Sequence, residues 1–158
     1  MPNNRSCGEC TACCKTHGVQ AIGKPSGVWC EHYVVGEGCM IYAYRPEECQ
    51  TFQCLWLLEL SDEENRPDIV GVVCDTREVE RFGPAVLLYE AVEGAIASAF
   101  ALRETKFWLE RMMPVFQLPL TGRNRLYLPP DYTGNILPAG YVLDGKGTDV
   151  IQTRARTT

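Results

Sequence analysis

Beyond about residue 68 the chain alternates short apolar runs with polar breaks, whereas its first third shows no sustained period. Asp68-Ile69-Val70-Gly71-Val72-Val73-Cys74 is a β-branched run of strand length, and Ala85-Val86-Leu87-Leu88-Tyr89-Glu90 is a second apolar run; both predict buried strands. From about Gly94 to Met113 good helix formers dominate, with Leu102, Leu109 and Met113 at helical spacing and Pro114 as a stop. Val115 to Leu118 and Arg125 to Leu128 predict two short extended segments around a Thr121-Gly122-Arg123-Asn124 turn, ended by Pro129-Pro130. Tyr141-Val142-Leu143, followed by Asp144-Gly145-Lys146-Gly147, predicts a further strand and turn. Asp62-Glu63-Glu64 reads as a polar turn before all of these. There is no internal repeat. The expected fold class is α+β: a loop-rich cysteine-cluster metal lobe over residues 1–60, packed on a small β-sheet with one main helix over 61–158 of the same single domain.

The aperiodic first third is where the cysteines lie. Cys7, Cys10, Cys13, Cys14, Cys30, Cys39, Cys49 and Cys54 fall within 48 residues, and Cys74 alone lies outside. Between Cys14 and Cys54 the chain carries Gly18, Gly23, Pro25, Gly27, Gly36, Gly38 and Pro46, which is turn chemistry. Four thiols in the eight residues Cys7 to Cys14 have almost no packing rationale, because small apolar residues would fill the space without the oxidation hazard. Metal ligation is the economical explanation. A thiolate is a soft anionic donor, and Cys-x-x-Cys spacing lets two sulfurs from one turn reach the same ion at about 2.3 Å.

Composition and charge narrow the classes. At 158 residues, 46% hydrophobic and 22% charged, the chain is the size of one ordinary domain and could bury a real core without help from cysteines. The formal net charge is −5 and neither half is basic, so no nucleic-acid partner is expected. The start, Met1 to Ser6, runs into Cys7 with no apolar stretch, and no apolar run is long enough to span a bilayer. The expectation is a cytoplasmic protein with no membrane partner, whose reducing surroundings argue against a disulfide framework and towards metal or redox chemistry.

Adjacent Cys13 and Cys14 complicate a single tetrahedral site, since consecutive side chains diverge by about 100° on a helix and to opposite faces on a strand. Two metals or one polynuclear cluster are therefore expected. Two four-cysteine zinc sites, a thiolate-bridged pair, or an iron-sulfur cluster with thiols to spare would each use the supply. A bacterial ferredoxin pattern fits Cys7, Cys10 and Cys13 but lacks its fourth cysteine followed by proline, since Lys15 follows Cys14. No His-x-His spacing follows a cysteine pair, so a finger is excluded.

The ordered set Cys7-Gly-Glu-Cys10-Thr-Ala-Cys13-Cys14, Trp29-Cys30, and Gly38-Cys39-Met40 through Arg45-Pro46-Glu47-Glu48-Cys49 to Phe52-Gln53-Cys54-Leu55-Trp56 resembles the CxxCxxCC family. That family, also called the YkgJ-type cysteine cluster family, is described as having a zinc- or iron-chelating domain. The resemblance covers residues 7 to 56 and implies that Cys7, Cys10, Cys13, Cys14, Cys39, Cys49 and Cys54, with Cys30 beside them, are ligands. One branch resembles flagellin lysine methylase, but no glycine-rich methyl-donor turn occurs in this chain.

Other residues have plainer readings beside the functional one. His17 and His32 flank the cluster as ligands or donors to a thiolate, or else are surface loop histidines. Cys74, at the end of a β-branched run, reads as a small buried hydrophobe. Arg45-Pro46 pins a turn and can set a guanidinium near the thiolates. Phe52, Trp56, Tyr42 and Tyr44 are expected to form a local core that shields the sulfurs. No catalytic motif appears outside the cluster. The expected function is zinc or iron chelation by eight thiolates in metal storage, delivery or sensing, with metal ions as the partners. An iron-sulfur redox or methylase-like enzyme and a structural-zinc interaction module are the alternatives.

Overall fold

The computed structural model describes residues 4–130, 132, 137–143 and 150–152. The cysteine-rich third is built from single turns. A one-turn helix α1 (Cys13–Thr16), a two-residue hairpin of β1 (Tyr33–Val34) and β2 (Gly38–Cys39), and a second short helix α2 (Glu47–Thr51) are joined by 3₁₀ turns and loops. Pro46 precedes α2, and acidic Glu47 and Glu48 occupy its first turn, where negative charge is favoured.

The predicted strand over 68–74 starts later than its β-branched pattern suggests. Pro67–Val70 forms a helical turn, α3, with proline at its start and Gly71 closing it at φ +73°. A Cβ on Gly71 would lie 2.8 Å from Ala95 Cβ, so this left-handed turn is also closely packed. The strand β3 then runs Val72–Val79 and returns in register as β4 (Gly83–Glu90), Cys74 facing Leu88 and Val73 facing Tyr89.

The main helix α4 is Ala99–Leu109, shorter than the helix-forming stretch. Ala95–Ala97 is a 3₁₀ turn, and Ser98 caps α4 by accepting a hydrogen bond from the Ala101 N–H. Its buried positions are Phe100, Ala101 and Thr105; Leu102, one of the apolar positions in the sequence pattern, is 59% exposed. β5 (Val115–Leu118) pairs parallel to β4, as a helical crossover permits. β6 (Arg125–Tyr127), β7 (Tyr141–Leu143) and β8 (Val150–Gln152) complete a six-stranded sheet in the order β3-β4-β5-β6-β8-β7. The expected Asp144–Gly147 turn lies outside the described residues.

Both helices and strands are present, in an α+β fold. Alternate residues of the sheet serve two cores. Val72, Cys74, Val86, Leu88 and Val115 pack with Phe100 and Ala101 of α4 and with Leu55. Val73, Ala85, Tyr89, Phe116 and Leu118 pack on the other face, with Ala12, Cys10, Phe52 and Cys54 of the lobe. The cysteine lobe therefore covers one face of the sheet and α4 the other.

Candidate metal centre

Five separate stretches deliver the thiols. The Cys10 N–H donates to the Cys7 carbonyl at 2.8 Å, in a tight turn that Gly8 permits with φ +52°. The chain then enters α1, which carries Cys13 and Cys14. The Cys30 N–H donates to the Cys14 carbonyl at 3.0 Å, fastening the next stretch to this helix. Cys39 arrives on β2, Cys49 on α2, and Cys54 just after it. Arg5 donates through Nη1 to the carbonyls of Trp56 at 2.8 Å and Ser61 at 2.7 Å, tying the start of the chain to the segment after Cys54. All eight thiol residues are half-buried and line one cavity of about 610 Å³.

The adjacent pair Cys13 and Cys14 does not split between separate regions. Both face this cavity and their side chains hydrogen-bond to each other. That bond, opposed by burial and aided by Lys24, brings the Cys14 thiol down to about 7, while the same bond and burial push Cys13 well up. Burial raises Cys10 to about 11 and also raises Cys7, Cys49 and Cys54. The charges that each thiol feels form two neighbourhoods joined through Cys14, whose charge both Cys13 and Cys7 feel. Cys13 feels Cys7 and Cys10 besides Cys14, Cys10 feels Cys54, and Cys54 feels Cys7. Cys49 feels Cys14, Cys30 and Cys39.

Arg5, Lys24, Arg45 and Arg77 line the cavity, and the charges of Lys24 and Arg45 act on the thiols. The Lys24 ammonium donates to the carbonyls of His17 and of Lys15, the latter at 3.4 Å, and sits among the charges of Cys30, Cys14, Cys13 and Cys49, although burial lowers its own pKa. Arg45 bridges the Tyr42 carbonyl at 2.6 Å and the Cys49 carbonyl at 3.4 Å, stacks 3.9 Å over the Tyr42 ring, and favours the charged form of Cys7. The Arg45-Pro46 pair thus does what its sequence suggested. Lys24 carried no such signal: a lone lysine between Gly23 and Pro25 is indistinguishable from a solvated one.

His17 and His32 part company. His32 lies outside the lining of the cavity, with Nε2 3.7 Å from the exposed Glu31 carboxylate. His17 lines it but is not a surface loop residue: only 9% exposed, it is wedged between the rings of Phe52 and Tyr89, at 4.2 and 4.3 Å. Its Nδ1 is 2.7 Å from Thr16 Oγ1 and its Nε2 3.3 Å from Asp75 Oδ2. Cys74 is buried in the α4-facing core, where burial holds its thiol well above the ordinary range. Tyr44 is 74% exposed and outside the lining, whereas Phe52, Trp56 and the half-exposed Tyr42 all line the cavity.

Among the described residues, no three Cys, His, Asp or Glu side chains form a cage that could hold an ion as they stand. No helix of the described residues is long and apolar enough to cross a membrane. No family model, no curated protein and no solved structure matches the chain.

Proposed function

We propose that this chain binds zinc through its eight clustered cysteines, iron being the alternative metal, and that it handles the metal in storage, delivery or sensing. The observation that supports this reading is the delivery of eight half-buried thiols from five stretches of chain to one cavity. Of the eight only Cys10 and Cys54 pack against the sheet core, and soft sulfur donors suit zinc, iron or an iron-sulfur cluster. A cluster of thiolates accumulates negative charge, which Lys24 and Arg45 offset.

The thiols sort into two neighbourhoods that meet where Cys14 touches Cys13 and is felt by Cys7, an arrangement that suits two adjoining centres within the one cavity. One would use Cys7, Cys10, Cys13 and Cys54, and the other Cys14, Cys30, Cys39 and Cys49. Bound zinc would supply a closed, redox-inert thiolate centre, whereas an iron-sulfur cluster would supply electron transfer. The chain's own contribution is to bring the thiols to one cavity, wall it with Tyr42, Phe52 and Trp56, and balance their charge. Elemental analysis of protein purified without oxygen, with an absorption spectrum of the same sample, tests the reading. Stoichiometric zinc in a colourless sample is expected, charge-transfer bands would select the iron-sulfur alternative, and absence of both metals would refute the proposal.

A further inference from the structure

A second cavity, of about 860 Å³, lies on the same face of the sheet and shares His17, Gly18 and Arg77 with the thiol cavity as a common wall. No cysteine lines it. Leu87, Phe116, Leu118 and Tyr141 give it an apolar floor, and its volume suits a small organic molecule. Its polar side chains set it apart from an ordinary apolar cleft. Arg77 is anchored by its Nε to Asp75 Oδ2 at 3.1 Å, and among the described residues its two terminal nitrogens take no hydrogen-bond partner. Arg81, on the exposed turn between β3 and β4, brings a second guanidinium to the rim beside the exposed Glu80 carboxylate, so the lining holds two guanidiniums against one carboxylate. Asn124 is 4% exposed and lines the cavity, yet its Oδ1 has no partner among the described residues. A buried amide oxygen left unpaired destabilises the fold, and a bound N–H or O–H would relieve it.

We infer that this cavity binds a small organic anion: a carboxylate on a flat apolar body that also carries an N–H or O–H donor. The carboxylate would meet the guanidinium fork of Arg77, a geometry suited to paired hydrogen bonds. The apolar body would lie on Phe116 and Leu118, and the donor would reach Asn124. The inference does not rest on metal binding, because the lining contains no thiol.

Isothermal titration of the full chain, purified without oxygen, with indole-3-acetate tests it directly. A Kd at or below about 1 mM is expected. Indole-3-acetamide, which lacks the charge, and 1-methylindole-3-acetate, which lacks the donor, should each bind about tenfold more weakly. Arg77→Gln should weaken indole-3-acetate by about tenfold, and the exposed Arg81→Gln should weaken it less. Ala139→Trp, which fills the mouth, should abolish binding while circular dichroism confirms the fold. No binding at about 5 mM, equal binding of acid and amide, or binding that survives Ala139→Trp would each overturn the inference. None of these results depends on the metal content of the sample, so the two proposals fail separately.

Discussion

His17 Nε2 stands 3.3 Å from Asp75 Oδ2, a contact that joins the cysteine lobe to β3 across 58 positions of chain. Asp75 is 3% exposed, and its other oxygen, Oδ1, has no partner among the described residues. Among the described residues, the histidine therefore supplies one of two side-chain contacts to this carboxylate, the other being Arg77. Removing one member of such a group costs more than the contact itself, because the survivor stays buried. His17→Ala is expected to destabilise the protein by about 2–4 kcal/mol, since it also empties the space between Phe52 and Tyr89. In urea denaturation, a double-mutant cycle with Asp75→Asn should show a coupling of about 1–2 kcal/mol. Strict additivity would mean that the contact does not fasten the lobe to the sheet.

The two proposed centres make a stoichiometric prediction. Cys10→Ser and Cys49→Ser, one from each group of four, should each lower bound metal to about half, and the double variant should bind almost none. Cys74→Ala should leave the metal content unchanged and lower stability by about 1 kcal/mol, as expected for a small core side chain. Elemental analysis after gel filtration reads all four variants. Complete metal loss from either single serine variant would favour one shared polynuclear cluster instead.

Glu104 on α4 offers a pH-dependent test outside the lobe. Burial raises its carboxyl above the ordinary value, although the Trp108 indole N–H donates to Oε2 at 3.1 Å and opposes the shift. A raised folded-state value means that folding disfavours the charged form, so stability falls as pH climbs from the unfolded value through the folded one. The amide oxygen of Glu104→Gln still accepts from Trp108 but carries no charge. The variant should therefore melt above the parent at pH 7, and the difference should shrink towards pH 4, where the parent carboxyl holds its proton in both states. A gap that widens on acidification would reverse the assignment.

Much of this fold was legible in the chain, and the failures have local causes. Val115–Leu118 and the apolar stretch at Ala85–Glu90 are strands as their patterns predict, because β-branched and aromatic side chains suit a sheet buried on both faces. Ile69 and Val70 have the same preference but sit on a helical turn, since Pro67 opens that turn and Gly71 closes it. Those two punctuating residues outweigh the β-branched pair. Leu102 fits a helical apolar stripe, yet the buried face of α4 is set by Phe100, Ala101 and Thr105, the last receiving a hydrogen bond from Gln117 Nε2 at 3.0 Å. That bond links positions twelve apart in sequence, and no periodicity announces it. At the candidate site the thiols were legible from their density alone. Lys24, Asp75 and Arg77 were not, because their importance comes from where the lobe lands on the sheet.

The Leu55 N–H donates to the Cys74 carbonyl at 2.8 Å, so the residue directly after the last clustered cysteine is bonded to the outer side of β3. β3 ends the sheet and is eight residues long, with four consecutive buried positions, a profile that invites edge-to-edge pairing with another chain. The turn that carries Cys54 thus acts as a guard rail on that edge. Any event that loosens the lobe would uncover a ready template for pairing with a second copy of the chain.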